Sequence, residues 1–334
     1  MKNIRKEEEV MKQTSNDTMR AVEYDQYGQP SMLQTRTVTR PQAGPGEALI
    51  RVLASSVNPI DTIIRSGQLS FRTGKKFPKR IGIDFVGEIV EIEGSDFNVG
   101  DRVWGVTLAT EGGAGQGTAA DFITLPTSYL ALAPKSLNVI ESAAISSVGA
   151  VAIIALRDKA NLRPGERLLV RGASGGVGCM AVQVGKLLGA HVTALASSRE
   201  LDFMKELGAT EALDYRTTTP TSLEPFDVVL DLVGTELGCY RGLLSQHGRM
   251  FCLAMSARSL PYILASNIFG PKRVQFFSAA PKGDTMAELT AYVDARSIRP
   301  VVHSIYNLDN IVEAHSSLEA GGGRGKRVVK HTDD

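Results

Sequence analysis

The feature that most limits how this chain can fold is residues 168–178, LLVRGASGGVG. A strand-like apolar run meets glycines spaced G-x-x-G-x-x-G at Gly172, Gly175 and Gly178, and a helix-like run, 177–188, follows. A chain that turns this tightly from strand to helix needs glycine for its backbone angles and for close packing of helix on strand. The spacing is a relative of the dinucleotide fingerprint G-x-G-x-x-G. Such a turn lets a pyrophosphate approach the backbone, and N–H groups at the helix start receive its charge. Gly172, Ser174, Gly175, Gly176, Val177 and Gly178 are therefore the expected cofactor-binding residues. The bland alternative is a tight turn without a ligand.

The surrounding text repeats the pattern. Strands are expected at 168–171, 191–196, 211–214, 226–232, 249–254 and 274–278, with helices at 177–188 and 199–207 ending at Gly189 and Gly208. Strands alternating with helices predict a parallel sheet covered on both faces. Residues 20–24, 48–54 and 81–92 read instead as strands of a β-rich unit, 139–158 as an apolar helix, 286–296 as the last helix and 326–329 as a closing strand. The glycine-rich 111–118 (EGGAGQGT) reads as a surface loop or a substrate cover. The fold class is thus α/β. A β-rich unit (19–140 and 282–332) is interrupted by a doubly wound unit (141–281), and 1–18 is a poorly ordered tail.

The second strand selects the cofactor. An NAD site usually ends it with an acid about 20 residues past the glycines, which holds the ribose 2′-hydroxyl. Here the chain reads Leu195-Ala196-Ser197-Ser198-Arg199. Two hydroxyls and a guanidinium suit a 2′-phosphate, so NADPH is the expected cofactor. Otherwise Ser197 is only a helix cap and Arg199 a solvated charge. Glu200 is expected to point into the helix beyond. Tyr215, after the third strand, either reaches the adenosine end or is an edge aromatic.

Composition excludes other classes. With 37 basic and 36 acidic side chains the net charge is +1, too little for a broad field that attracts nucleic acid or an anionic membrane. No apolar run is expected to reach the ~18 residues of a membrane span. Cys179, Cys239 and Cys252 form no CxxC pair, which fits a reducing, cytoplasmic location. Cys179 is either a buried filler or a thiol activated at a helix start. The five histidines show no ligand spacing.

Several stretches in order resemble a known family: Val57-Asn58-Pro59-Ile60-Asp61 with Arg65-Ser66-Gly67, GIDFVG at 82–87, GDRVWG at 100–105, the glycine turn with Ala181-Val182-Gln183, ASSR at 196–199, Leu207-Gly208-Ala209 leading to Asp214-Tyr215-Arg216, and Gly325-Lys326. Over roughly 19–330 the chain resembles the medium-chain dehydrogenase/reductase superfamily, in its zinc-free quinone oxidoreductase branch. That resemblance implies a GroES-like catalytic domain, a Rossmann domain and an active site between them. It also implies NADPH as hydride donor, held by Ser197, Ser198, Arg199, Tyr215 and Lys326, and a homodimer. Asn58 is implied beside nicotinamide and substrate, and hydride transfer without a metal makes it the expected donor to the developing oxyanion. Asp61 either orients that group or serves only the turn.

Departures from the family matter. Zinc relatives carry a Cys near the Asn58 position and a His-Glu pair near Ile83-Asp84. Some quinone reductases carry a Tyr where Ile63 stands, and Leu-Thr-Ala where Ala150-Val151-Ala152 stands. No metal is expected. The expected function is NADPH-dependent, zinc-independent reduction of a quinone or α,β-unsaturated carbonyl. The alternatives are an enoyl-thioester or alkenal reductase and a non-catalytic NADPH-binding sensor or structural protein.

Overall fold

The computed structural model describes residues 17–107, 116–254, 260–268, 272–277 and 279–332. The expected tail up to residue 16, and most of the glycine-rich loop at 111–118, lie outside the described residues. Residue 18, placed in that tail by the sequence, already opens the strand Thr18–Tyr24.

Six parallel strands build one sheet in the order Glu211–Asp214, His191–Ala196, Arg167–Arg171, Phe226–Asp231, Leu244–Cys252, Val274–Phe276. The first strand in sequence, Arg167–Arg171, lies in the middle. Chain direction across the sheet therefore reverses between it and Phe226–Asp231, and that is where open α/β sheets bind ligands. The strand expected at 249–254 begins earlier, at Leu244, because a register shift beside Phe226 absorbs its polar start.

The second unit is built on Glu47–Val57. This strand pairs antiparallel with Asp84–Ile92, with Phe122–Pro126 and with the closing strand Lys326–Lys330. A smaller sheet joins Gln34–Thr39, Thr18–Tyr24 and Lys79–Arg80. Pairing of Arg327 with Val57 brings the end of the chain back beside Asn58.

One helix ties the two units together. Val139–Ile153 is apolar all round, and most of it is buried. A helix without a polar face must be covered on every side. Its surroundings are Trp104 and Val106 of one unit, Leu168, Val170 and Met180 of the other, and Met286 and Leu289 from the returning chain, in a single core. Gly149 permits the approach of Leu289, since a Cβ there would stand 2.7 Å from Leu289 Cδ1. Continued to Lys159, this helix has the length and composition to cross a membrane, contrary to the expectation that no apolar run is long enough. However, 72% of its most apolar window is buried inside the protein, so protein replaces lipid as its cover.

Candidate functional site: a glycine turn facing a buried polar cluster

The glycine turn stands at the carboxyl end of the central strand Arg167–Arg171. Gly172 adopts φ +78°, and the helix Gly176–Leu187 starts four residues later. A Cβ on Gly178 would lie 2.3 Å from Gly172 O, so helix and turn touch backbone to backbone. A Cβ on Gly175 would meet only Gly172 O at 3.5 Å. The turn is closed from beneath and open above, with the first helical N–H groups lacking intrahelical partners. This cradle fits a pyrophosphate. Cys179 is buried under it with Sγ 3.2 Å from Ser174 O, and burial pushes its thiol up to about 12. It is a filler, not an activated thiol.

Beside the turn, His191–Ala196 ends at Ser197, which makes no side-chain cap bond to the short 3-10 turn Ser198–Glu200. Ser198 and Arg199 are exposed, and Arg199 forms no ion pair with a described residue. Tyr215 joins them, since its N–H donates to Ala196 O at 3.1 Å and its ring is exposed. Arg216, whose guanidinium carbon lies 5.5 Å from the Tyr215 ring centre, adds a second cation there. Glu200 does not enter this group. Its Oε2 lies 3.2 Å from Arg324 Nε.

A second group gathers where the β-rich unit meets the apolar helix. Asn58 precedes the helix Pro59–Arg65, and Asp61 caps it by accepting the Asn58 N–H at 2.8 Å. Asn58 Nδ2 donates to Ser56 O at 3.1 Å and to Asp84 Oδ2 at 3.3 Å. Its Oδ1 accepts from Ser147 Oγ at 3.1 Å and from Lys326 Nζ at 2.6 Å. Asp84 also accepts from Ser56 N–H at 2.9 Å, from Ser56 Oγ at 2.6 Å and from Ser147 Oγ. Lys326 Nζ donates to Val57 O at 2.9 Å and stands 4.0 Å from Asp84 Oδ2. All six residues are buried. Burial lowers the Lys326 pKa, against the pull of Asp84 and Asp61. Burial raises Asp61 to about 7, against its bond to the Asn58 N–H.

Two sequence expectations change here. Both amide hydrogens of Asn58 are committed to Ser56 and Asp84, so Asn58 is not a free oxyanion donor. Lys326, grouped with the cofactor residues, turns its ammonium into the Asn58 cluster instead. Its stem does touch the turn: a Cβ on Gly176 would lie 2.8 Å from Lys326 Cδ. The lysine thus spans the two groups. Sequence reasoning missed Ser56, Asp84 and Ser147. The available signal was Ser146-Ser147 inside an otherwise apolar helix, since a buried hydroxyl needs a partner.

The chain shares its parts with known proteins. Residues 44–135 match the alcohol dehydrogenase GroES-like domain and 207–329 the zinc-binding dehydrogenase domain. A mitochondrial NAD(P)H oxidoreductase of Mus musculus is 31% identical over 355 residues, covering 91% of this chain and 87% of that protein. A chloroplastic quinone-oxidoreductase of Triphysaria versicolor is 30% identical, covering 93% and 98%. The quinone oxidoreductase structure from Coxiella burnetii superposes with a TM-score of 0.86 at 26% identity, covering 94% of this chain and all of that one. A mycobacterial protein solved with NADPH gives 0.77 at 26% identity over 94% and 100%. The chain belongs to the medium-chain dehydrogenase/reductase superfamily.

One of the matched domains is described as zinc-binding, and the residues of this medium-chain dehydrogenase/reductase do not fit that ion. Asn58 and Asp84 do converge, but Ile83, next to Asp84 in the chain, is a buried hydrocarbon. Lys326 places a fixed ammonium 2.6 Å from Asn58 Oδ1, and a second cation there would be repelled. Among the described residues no three His, Cys, Asp or Glu side chains come together to hold a metal.

Proposed function

We propose that this protein is an NADPH-dependent, zinc-independent reductase that passes hydride to a quinone or another α,β-unsaturated carbonyl. At the coarser level it is a pyridine-nucleotide oxidoreductase, as its relatives' names and its domain pair support. The observation that carries the finer reading is the end of the second strand, where Ser197, Ser198 and Arg199, which pairs with no acid among the described residues, stand in place of a carboxylate. Tyr215 and Arg216 extend the same surface.

NADPH, when bound, supplies the hydride. The N–H groups after Gly175 hold its pyrophosphate, and Ser197, Ser198 and Arg199 take the 2′-phosphate. A conjugated carbonyl needs no Lewis acid, because it spreads the negative charge that hydride addition creates. Lys326 is the cation at the centre of the polar cluster; two of its three N–H groups go to Val57 O and Asn58 Oδ1, and with the third it stabilises that charge, the role first expected of Asn58. Asn58 and Asp84 position the ammonium, and water delivers the proton. A homodimer remains the proposed assembly, supported by the edge of Val274–Phe276, which pairs with no further strand among the described residues and where Phe276 is exposed.

The test is NADPH oxidation across a panel of quinones, enones, alkenals and enoyl thioesters, with NADH in parallel. Turnover of quinones or enones with NADPH preferred is the expected result. Binding of NADPH without oxidation across the whole panel would refute the reading as a reductase.

A further inference from the structure

Glu200 is the first acid after the second Rossmann strand, three residues past Ser197. An acid so placed is the natural partner of a ribose 2′-hydroxyl and the natural enemy of a 2′-phosphate. Yet its side chain is only 15% exposed, and its Oε2 lies 3.2 Å from Arg324 Nε. Arg324 does not belong to the cofactor-binding sheet. It lies in the segment that leads into the closing strand Lys326–Lys330, and its guanidinium stacks 4.5 Å from the centre of the Phe203 ring.

The backbone beside Arg324 is fixed. The Gly325 N–H donates to Ser174 O at 2.9 Å, and Gly325 bridges Gly175 of the glycine turn. Gly325 adopts φ +74°, and a Cβ there would stand 2.1 Å from Val301 O. Three consecutive residues therefore act on one region. Arg324 faces Glu200 as an ion pair without a hydrogen bond to its Oε2, Gly325 braces the turn, and Lys326 enters the Asn58 cluster.

We infer that Arg324 is a specificity-determining residue that acts through Glu200: it draws this carboxylate out of the adenosine crevice, so that the crevice accepts a 2′-phosphate. The inference rests on the NADPH reading above and deepens it. It also makes cofactor choice depend on the closing segment, and not on the Rossmann unit alone. Arg324 is a positioning residue here, not a ligand of the phosphate.

The experiment measures dissociation constants of NADPH and NADH by nucleotide fluorescence for the full-length protein and for R324A, R324K, E200Q and the double variant R324A/E200Q. In R324A the freed carboxylate should weaken NADPH and strengthen NADH, moving the ratio of the two constants about tenfold toward NADH. R324K keeps a cation and should move the ratio by less than about threefold, and R324A/E200Q, which lacks the freed charge, should return to within about threefold of the parent. A fall in NADPH affinity with NADH unchanged and no recovery in the double variant would make Arg324 a phosphate ligand and overturn the inference. An unchanged ratio in R324A would overturn it as well. Failure of the NADPH reading is seen separately, as a parent protein that does not prefer NADPH. Melting temperatures within a few degrees of the parent confirm that each variant is folded.

Discussion

Replacing Lys326 with methionine tests the polar cluster most directly. Methionine keeps most of the stem that packs on Gly176 and removes the ammonium. The change deletes the 2.6 Å bond to Asn58 Oδ1 and the 2.9 Å bond to Val57 O, and it leaves Asp84 as a fully buried carboxylate without its cation. Removing one member of a buried ion pair costs roughly 3–5 kcal/mol. The separation here is 4.0 Å, and Asp84 retains donors from Ser56, Asn58 and Ser147. The cost should therefore fall near the lower end, about 3 kcal/mol. K326M/D84N, which removes the stranded charge as well, should recover most of it. Catalysis should not recover. Loss of a donor to a developing oxyanion costs about 100-fold in kcat, or about 2.7 kcal/mol. The dissociation constant of NADPH should change by less than about fivefold, because the backbone of the turn carries the pyrophosphate. The assays are stopped-flow NADPH oxidation with a quinone acceptor, NADPH fluorescence titration, and urea unfolding of both variants. A K326M protein with full kcat and NADPH binding weakened more than tenfold would show that the lysine serves the cofactor and not the reacting carbonyl, and would refute the role assigned to it.

Arg199→Ala should raise the NADPH dissociation constant about 10–30-fold, the lower range for a charge-assisted contact at an exposed site, while NADH changes less than about twofold. Titrations at fixed ionic strength measure both, and equal losses would contradict the 2′-phosphate assignment. Gly178→Ala drives a Cβ to 2.3 Å from Gly172 O. It should lower stability by about 1–3 kcal/mol and weaken NADPH and NADH alike, as seen in melting curves and titrations. The pH dependence of stability has a definite sign. Burial holds His315 and His331 down to about 3 and about 4. Unfolded histidine titrates near pH 6.5, so the unfolded chain takes up the extra protons and stability is lost as pH falls below about 6.5. Asp61, raised to about 7, opposes this, since between about pH 4 and 7 its proton is held only in the folded state. Asp61→Asn should therefore steepen the loss of melting temperature between pH 6.5 and 5, and parallel curves for variant and parent would exclude that balance.

The parallel sheet, its six strands, the glycine turn and the residues at the end of the second strand were all legible in the sequence. Each depends on neighbours in the chain: the period of apolar residues, the φ that only glycine adopts at Gly172, and the residue type that follows Ala196. The all-apolar helix Val139–Ile153 was legible as a helix, but what covers it was not. The polar cluster lay beyond such reading, because Ser56, Asp84, Ser147 and Lys326 are far apart in the chain and meet only through the pairing of Glu47–Val57 with Asp84–Ile92 and with Lys326–Lys330, and through the packing of the helix Val139–Ile153 on these strands. The pairing with Asp84–Ile92 decided that both Asn58 hydrogens are already used, and the closing segment decided that Lys326 faces Asn58 and not solvent and that Arg324 reaches Glu200. Local sequence determines which backbone a segment adopts and which charge it carries. Only tertiary packing decides which charges lose water together, and that burial sets the electrostatics of this site.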